Sequence, residues 1–419
     1  MSSFVNNLWE ILWLAARNLV RNQRRSLLSA ASIAIGVAAI LCSKSYVDGL
    51  ERLILEFVID AREGALQVQR GGYGASREMA TLDLNLPEAG PIPDRVSATP
   101  GVRAVAPRLR FIGLVSNGEM STAFGALGLD PAREAQVCPR GPGAHLEGVL
   151  VGPGLTSDDE DKVVLGQGLA RSLRATVGSQ ITLLVTSRGG ALETADLTVA
   201  GTYPFPDAFE DKHFLVVPLK VAQRLVHLPG RVTSLAVALA PGALLEGVLA
   251  RLRTDLAGSD PAVELHPWWE LSPYFRDIIT LEGDLMRAVI FIIFMMVVAG
   301  VVNTMLMSVL ERTREIGTLM AMGFRRRRIL FLFLAEAMML TLIAAIIGVA
   351  IGACIVVLVG RTGIAFELPG AGVIRVFPKF NVLYVGWSVA AALAGGLVGG
   401  LLPARRASRM RPIEALRNT

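Results

Sequence analysis

Glu311-Arg-Thr-Arg-Glu-Ile-Gly-Thr-Leu-Met-Ala-Met-Gly323, followed by Arg325-Arg-Arg-Arg328, is a polar interruption between two long apolar runs of this 419-residue chain. Ile316, Leu319, Met320 and Gly323 fall at i, i+3, i+4 and i+7, one stripe of a helix. Glu311, Arg312, Arg314 and Glu315 crowd its first turn and a half. The spacing alone fits two readings: a loop helix resting on lipid headgroups, or a helix shaped to be gripped by a partner. The flanking sequence bears on the choice.

Hydrophobic residues make up 52% of the chain and charged residues only 18%, which excludes an ordinary soluble enzyme. Four runs are long enough to cross a bilayer core, which takes about 20 residues. They are Leu27–Ser43, Ala288–Leu310, Ile329–Val359 and Leu383–Leu402. As straight helix the third would be about 46 Å long against a core of about 30 Å, so it must tilt or protrude. Arginines flank these runs at positions 17, 21, 24 and 25, at 312, 314 and 325–328, and at 405, 406, 409, 411 and 417. By the positive-inside rule all three segments, and with them both termini, are expected in the cytoplasm. Lys44–Glu282 then lies outside as one large insertion carrying 29 Asp/Glu and 22 Lys/Arg. The basic balance of the remainder therefore reports membrane topology, and a nucleic-acid partner is not expected.

The expected fold is an α-helical membrane protein with four transmembrane helices and a large α+β extracytoplasmic domain inserted between helices 1 and 2. Its segments are a cytoplasmic interfacial helix (1–26), the first span with a stalk (27–59), and the external domain (60–273). A second stalk and span (274–310), the cytoplasmic helix with its basic loop (311–328) and the third span (329–359) follow. A short external loop (360–382), the fourth span (383–402) and a cytoplasmic tail (403–419) complete the chain. In the external domain, β-rich runs at Leu109–Val115, Gln180–Thr186, Leu197–Thr202, Phe214–Pro218 and Thr233–Leu239 predict strands. Asp94–Thr99, Gly168–Ala175, Leu219–Val226 and Ala243–Leu256 predict helices. Among the three cysteines, only Cys138 lies outside the spans and their stalks, so no disulfide within the external domain is expected.

No residue pattern carries enzyme chemistry. There is no G-x-x-x-x-G-K-[ST], the four histidines show no ligand spacing, and Ser157–Asp161 lacks the spacing of a calcium loop. No cofactor and no metal is expected on this chain. Polar residues inside the spans are few. Asn303 predicts a hydrogen bond across helices, and Glu336 lies near enough to the inner interface to reach Arg325–Arg328 or a neighbouring helix. Gly348 and Gly352 form a G-x-x-x-G, and Gly395, Gly396, Gly399 and Gly400 give the fourth run a smooth face for helix packing.

The 311–323 segment and the terminal Pro403-Ala-Arg-Arg-Ala407 and Pro412-Ile-Glu-Ala-Leu-Arg417 resemble the cytoplasmic signatures of FtsX/MacB/LolC-type ABC permeases. Arg17-Asn-Leu-Val-Arg-Asn22 resembles the family's N-terminal motif. Gly128-Leu-Asp-Pro131, Val164–Ala170, Val177–Leu183 and Pro267-Trp-Trp-Glu270 look most like the lipoprotein-release (LolC/LolE-like) branch. The resemblance implies a MacB-like periplasmic core domain, a multi-pass protein of the bacterial inner membrane, and a second permease copy or paralogue. It further implies a separate ABC ATPase dimer that binds ATP and Mg, and a periplasmic carrier or adaptor. ATP hydrolysis is thus expected from a separate subunit.

Under that resemblance 311–323 is a coupling helix. Glu311, Arg312 and Glu315 would make its polar contacts to the ATPase, Ile316, Leu319 and Met320 its apolar seat, and Gly323 its end. The implied function is mechanotransmission that extracts or releases lipoproteins. The alternatives are efflux of a peptide or small amphiphile with an adaptor, and a transducer that regulates a periplasmic hydrolase. Val47, Leu50, Ile54, Ile278 and Leu281, on the stalks beside membrane lipids, are the candidate cargo cleft. The stretch Thr186–Thr194, where one lipoprotein-release subunit extends a long carrier-recruiting hairpin, is short here.

Overall fold

The computed structural model describes residues 23–74, 81–144, 150–205, 208–368 and 372–410. The expected interfacial helix before residue 23 and the tail after residue 410 lie outside the described residues. Among the described residues, four helices are long and apolar enough to cross a membrane: Gln23–Val58, Pro273–Glu311, Arg326–Thr362 and Val382–Ser408. Each contains one of the four expected runs and overshoots it. Hydropathy marks only the part that meets hydrocarbon, whereas the backbone continues helical until a residue stops it.

Small residues set how closely these helices approach. A Cβ added at Gly348 of the third helix would lie 2.5 Å from the Ala34 carbonyl oxygen of the first. On the fourth helix, a Cβ at Gly399 would lie 2.8 Å from Val298 O of the second helix, and one at Gly400 2.7 Å from the Ala337 Cβ of the third. Alternate glycines of the fourth helix thus face different neighbours. The packing leaves Val37, Val301, Leu340, Ala344 and Ala392 buried in one cluster. Without a hydrophobic drive between helices in lipid, such contact is what holds spans together.

The two compact units of the chain divide at Arg52–Ile278, which with 365–374 form the second unit. Its strands are β1 (Leu66–Arg70), β2 (Leu86–Pro87), β3 (Val102–Ser116), β4 (Ser121–Leu129) and β5 (Lys162–Gly166). They continue with β6 (Gln180–Thr186), β7 (Leu192–Tyr203), β8 (Phe214–Pro218), β9 (Arg231–Val232), β10 (Ser234–Leu239) and β11 (Val263–Pro267). Nine form one sheet in the order β11-β1-β10-β3-β4-β8-β5-β7-β6, with β4–β8 and β5–β7 parallel. The 15-residue β3 changes partner along one edge. Its first half pairs with β10 (Ser234↔Arg108) and its last four residues pair with β6 (Gly113↔Val185). The second pairing closes β3, β4, β8, β5, β7 and β6 into a ring. Leu66, Phe111, Leu165, Leu215, Val237 and Leu252 belong to the core of the domain.

Where the first long helix ends, a π-helical turn, Ile59–Glu63, leads into the sheet over a buried polar cluster. Arg108 of β3 donates through Nη1 to Glu63 O at 3.4 Å and pairs with the Glu134 carboxylate. Gln67 Nε2 donates to Glu63 Oε2 at 2.8 Å, and the Cys138 thiol to Ile59 O at 3.3 Å. The β6–β7 hairpin closes Thr186 against Leu192 over a short turn, and the acidic run places Asp159 on Lys162 at 2.8 Å. Burial raises the Asp159 carboxyl, but Lys162 and the Thr156 amide outweigh it and hold the group below its ordinary value. A two-stranded hairpin, β12 (Ile364–Leu368) and β13 (Gly372–Val376), joins the third and fourth long helices where a plain loop was expected.

Two outcomes follow. Gly348→Ala should lower the thermal midpoint of the detergent-solubilised chain, at about 1–3 kcal/mol for overpacking, whereas Gly283→Ala, whose Cβ meets open space, should not. Burial pushes the Cys138 thiol well above its ordinary range. Iodoacetamide at pH 8 should therefore leave it unlabelled in the native protein and label it after denaturation, by mass spectrometry.

Candidate coupling site at the end of the second span

The second long helix runs without interruption to Glu311. Arg312 (φ −107°, ψ 15°) breaks it, and a separate short helix, Thr313–Ala321, begins. The Ile316 N–H bonds Arg312 O at 2.9 Å, so Arg312 is the cap of the new helix as well as the corner. Gly323 at φ 94° turns the chain, a conformation that costs glycine nothing, and Arg325 (φ −70°, ψ 140°) leads into the third span. The expected single helix over 311–323 is therefore corrected: Glu311 belongs to the span and Gly323 to the turn.

The apolar stripe faces inward. Ile316 is buried with Val309, Ile329, Phe333, Ala404 and Ala407, the ends of the second, third and fourth long helices, and Met320 packs on the same cluster. Leu319 is half-buried, while Arg314, Glu315, Thr318, Ala321 and Met322 are exposed, Met322 at 68%. The expectation that Ile316 and Met320 form an apolar seat for a partner is corrected by this packing. Amphipathic spacing reports that a stripe is covered and not what covers it, and here the chain covers its own stripe.

Arg312 does not face a partner either. Its side chain is 5% exposed, and Nη1 bonds Glu336 Oε2 on the third long helix at 3.3 Å. Ser308 Oγ lies 3.5 Å from Glu336 Oε1, and Glu315 Oε2 lies 4.0 Å from Arg312 Nε. Glu336 thus reaches a neighbouring helix, and Arg325–Arg328 are exposed. Asn303 departs from its expected role: it is exposed on the second helix, and its amide makes no hydrogen bond among the described residues. In the candidate cargo cleft, Val47, Leu50, Ile54 and Ile278 are half-buried and Leu281 is exposed. The sequence missed the burial of Arg312. Its signal was a lone intramembrane carboxylate, which needs a partner, with Arg312 among the few cations at the span ends.

Residues 26–255 match the family described as MacB-like periplasmic core domain, and residues 287–412 match FtsX-like permease C-terminal. The chain belongs to the FtsX/MacB-type ABC permeases. With its four apolar helices it is a multi-pass inner-membrane protein, and the sheet domain between the first two is the MacB-like periplasmic domain. It is 25% identical over 438 residues to the macrolide export ATP-binding/permease protein MacB of Wolinella succinogenes, covering 99% of this chain and 62% of that protein. The pyoverdine export ATP-binding/permease protein PvdT of Pseudomonas aeruginosa is 42% identical over 119 residues, covering 28% of this chain and 16% of that protein. The crystal structure of the periplasmic region of MacB from Actinobacillus actinomycetemcomitans superposes with a TM-score of 0.36 at 14% identity, covering 52% of this chain and 94% of that one. The chain spans 62% of the first of these relatives.

Ile316→Ala should loosen the short helix by about 2–5 kcal/mol, the usual cost of emptying a buried aliphatic site. Limited proteolysis after Arg314 should then be faster than in the wild type, with cleavage in the external sheet unchanged.

Proposed function

We propose that the chain is the membrane subunit of an ATP-driven transporter working by mechanotransmission, with the short helix Thr313–Ala321 as its contact to an ABC ATPase. The observation that carries this reading is the one-sided burial of that helix. Its inner face is fixed on three span ends by Ile316 and Met320, and its outer face, with Arg314, Glu315, Thr318 and Met322, is left to solvent. A headgroup-resting helix would turn its apolar stripe outward to lipid. One held by its own chain and polar outside is built to receive a push. The positive-inside rule puts it in the cytoplasm, where ATP and Mg would be bound by the partner.

The cargo is a lipid-anchored or amphiphilic molecule. Lipoprotein is the sharper version, resting on the resemblance of Val164–Ala170, Val177–Leu183 and Pro267–Glu270, with Leu50 and Leu281 offering apolar surface along the stalks. Efflux of a small amphiphile through an adaptor is the second reading, favoured by the names of the macrolide and pyoverdine exporters that the chain resembles. The short β6–β7 turn supports assigning recruitment of a carrier or adaptor to another surface or subunit.

Glu315→Lys should leave membrane insertion intact and uncouple hydrolysis by the co-purified ATPase from transport. The expected loss in transport is about tenfold, the scale of one charge-assisted contact. Unchanged transport would sink the coupling assignment. A photo-crosslinker at Leu50 separates the cargo readings: captured lipoprotein supports release, and captured small amphiphile supports efflux.

A further inference from the structure

The Arg312–Glu336 pair is a strange thing to bury at the end of a membrane bundle. Both side chains are 5% exposed, inside an apolar cluster where matched hydrophobic residues would hold the helices together as well or better. The pair is also incompletely satisfied: Arg312 Nε and Nη2 have no hydrogen-bond partner among the described residues. What an ion pair adds to apolar contact is direction. Arg312 Nη1 at 3.3 Å from one Glu336 oxygen, with Ser308 Oγ at 3.5 Å from the other, ties the corner to one point of the third helix, which apolar contact alone would not do.

The position matters as much as the chemistry. Arg312 is the corner between the second long helix and the short helix, and its carbonyl accepts the first hydrogen bond of the latter. Glu336 stands on the third long helix, and Ser308, one turn before the corner, touches the other carboxylate oxygen. Three helices therefore meet at one carboxylate. We propose that Arg312 and Glu336 are positioning residues that form a strut. It fixes the angle of the short helix, so that force on its outer face passes directly into the third span. Its role in transport rests on the coupling reading above, whereas the strut itself does not.

Hydrogen exchange of the full chain in lipid nanodiscs tests it. In Glu336→Ala the amides of 316–321 should exchange about tenfold faster, with the external strands unchanged, as expected for a local opening. Glu336→Gln, which keeps an acceptor and loses the charge, gives the same reading should Glu336→Ala fail to insert. The exchanged pair Arg312→Glu/Glu336→Arg should restore slow exchange, which removal of side-chain volume alone would not predict. Unchanged exchange in both single variants, or no rescue by the exchanged pair, overturns the strut. In complexes with the co-purified ATPase, the single variants should keep ATP hydrolysis and lose transport. Loss of ATPase binding instead would make Arg312 and Glu336 a folding anchor and overturn the positioning role. If wild type retains no ATPase, the coupling reading fails while the exchange result still decides the strut.

Discussion

Close approach of helices through missing side chains is the constraint on which the membrane unit depends. Gly395 and Gly399 admit the second long helix, and Gly396 and Gly400 admit the third, whose Thr341 and Ala337 lie where a side chain would be. One helix edge can then touch two neighbours at backbone distance. That convergence continues to the helix ends, where Ala404 and Ala407 join Val309, Ile329 and Phe333 to make the apolar floor for Ile316. Larger residues at the glycines would spread the ends and leave the short helix without its seat. The seating of the short helix is thus decided about two to four turns away from it, inside the bilayer.

Much of this was legible in the sequence because hydropathy, charge asymmetry and glycine spacing are each tied to one physical demand of the bilayer. The four spans and the glycine faces are of this kind. The direction of the 316–320 stripe was not legible, since the same spacing serves a partner, a membrane or the chain's own core. Arg312 was misjudged for a related reason. An arginine amid Glu311, Arg314 and Glu315 looks like one more surface charge, and only the third helix, 24 residues on, supplies its buried partner.

In the external domain, strands with alternating or continuous β-branched residues were read correctly, among them β6 and β8. Those missed had other jobs for their residues. β4, Ser121–Leu129, is rich in glycine and alanine because Gly128 packs against Ala222 where a side chain would collide. β1, Leu66–Arg70, carries two buried glutamines, Gln67 and Gln69, that serve the Glu63 cluster rather than solvent. Polar residues on a strand buried on both faces defeat any rule that equates polarity with exposure.

The shared strand β3 has a mechanical meaning. The same 15 residues hold Arg108, which bonds the turn Ile59–Glu63, pair with β10 on one stretch and with β6 on another, and run alongside β4 from Arg108 to Ser116. Two sheets joined by a loop could pivot like pages about a spine. Here one sheet carries both pairings on a single strand, so its two ends cannot pivot about a loop. The π-helical turn and the β6 edge, far apart in the chain, thus belong to one stiff body.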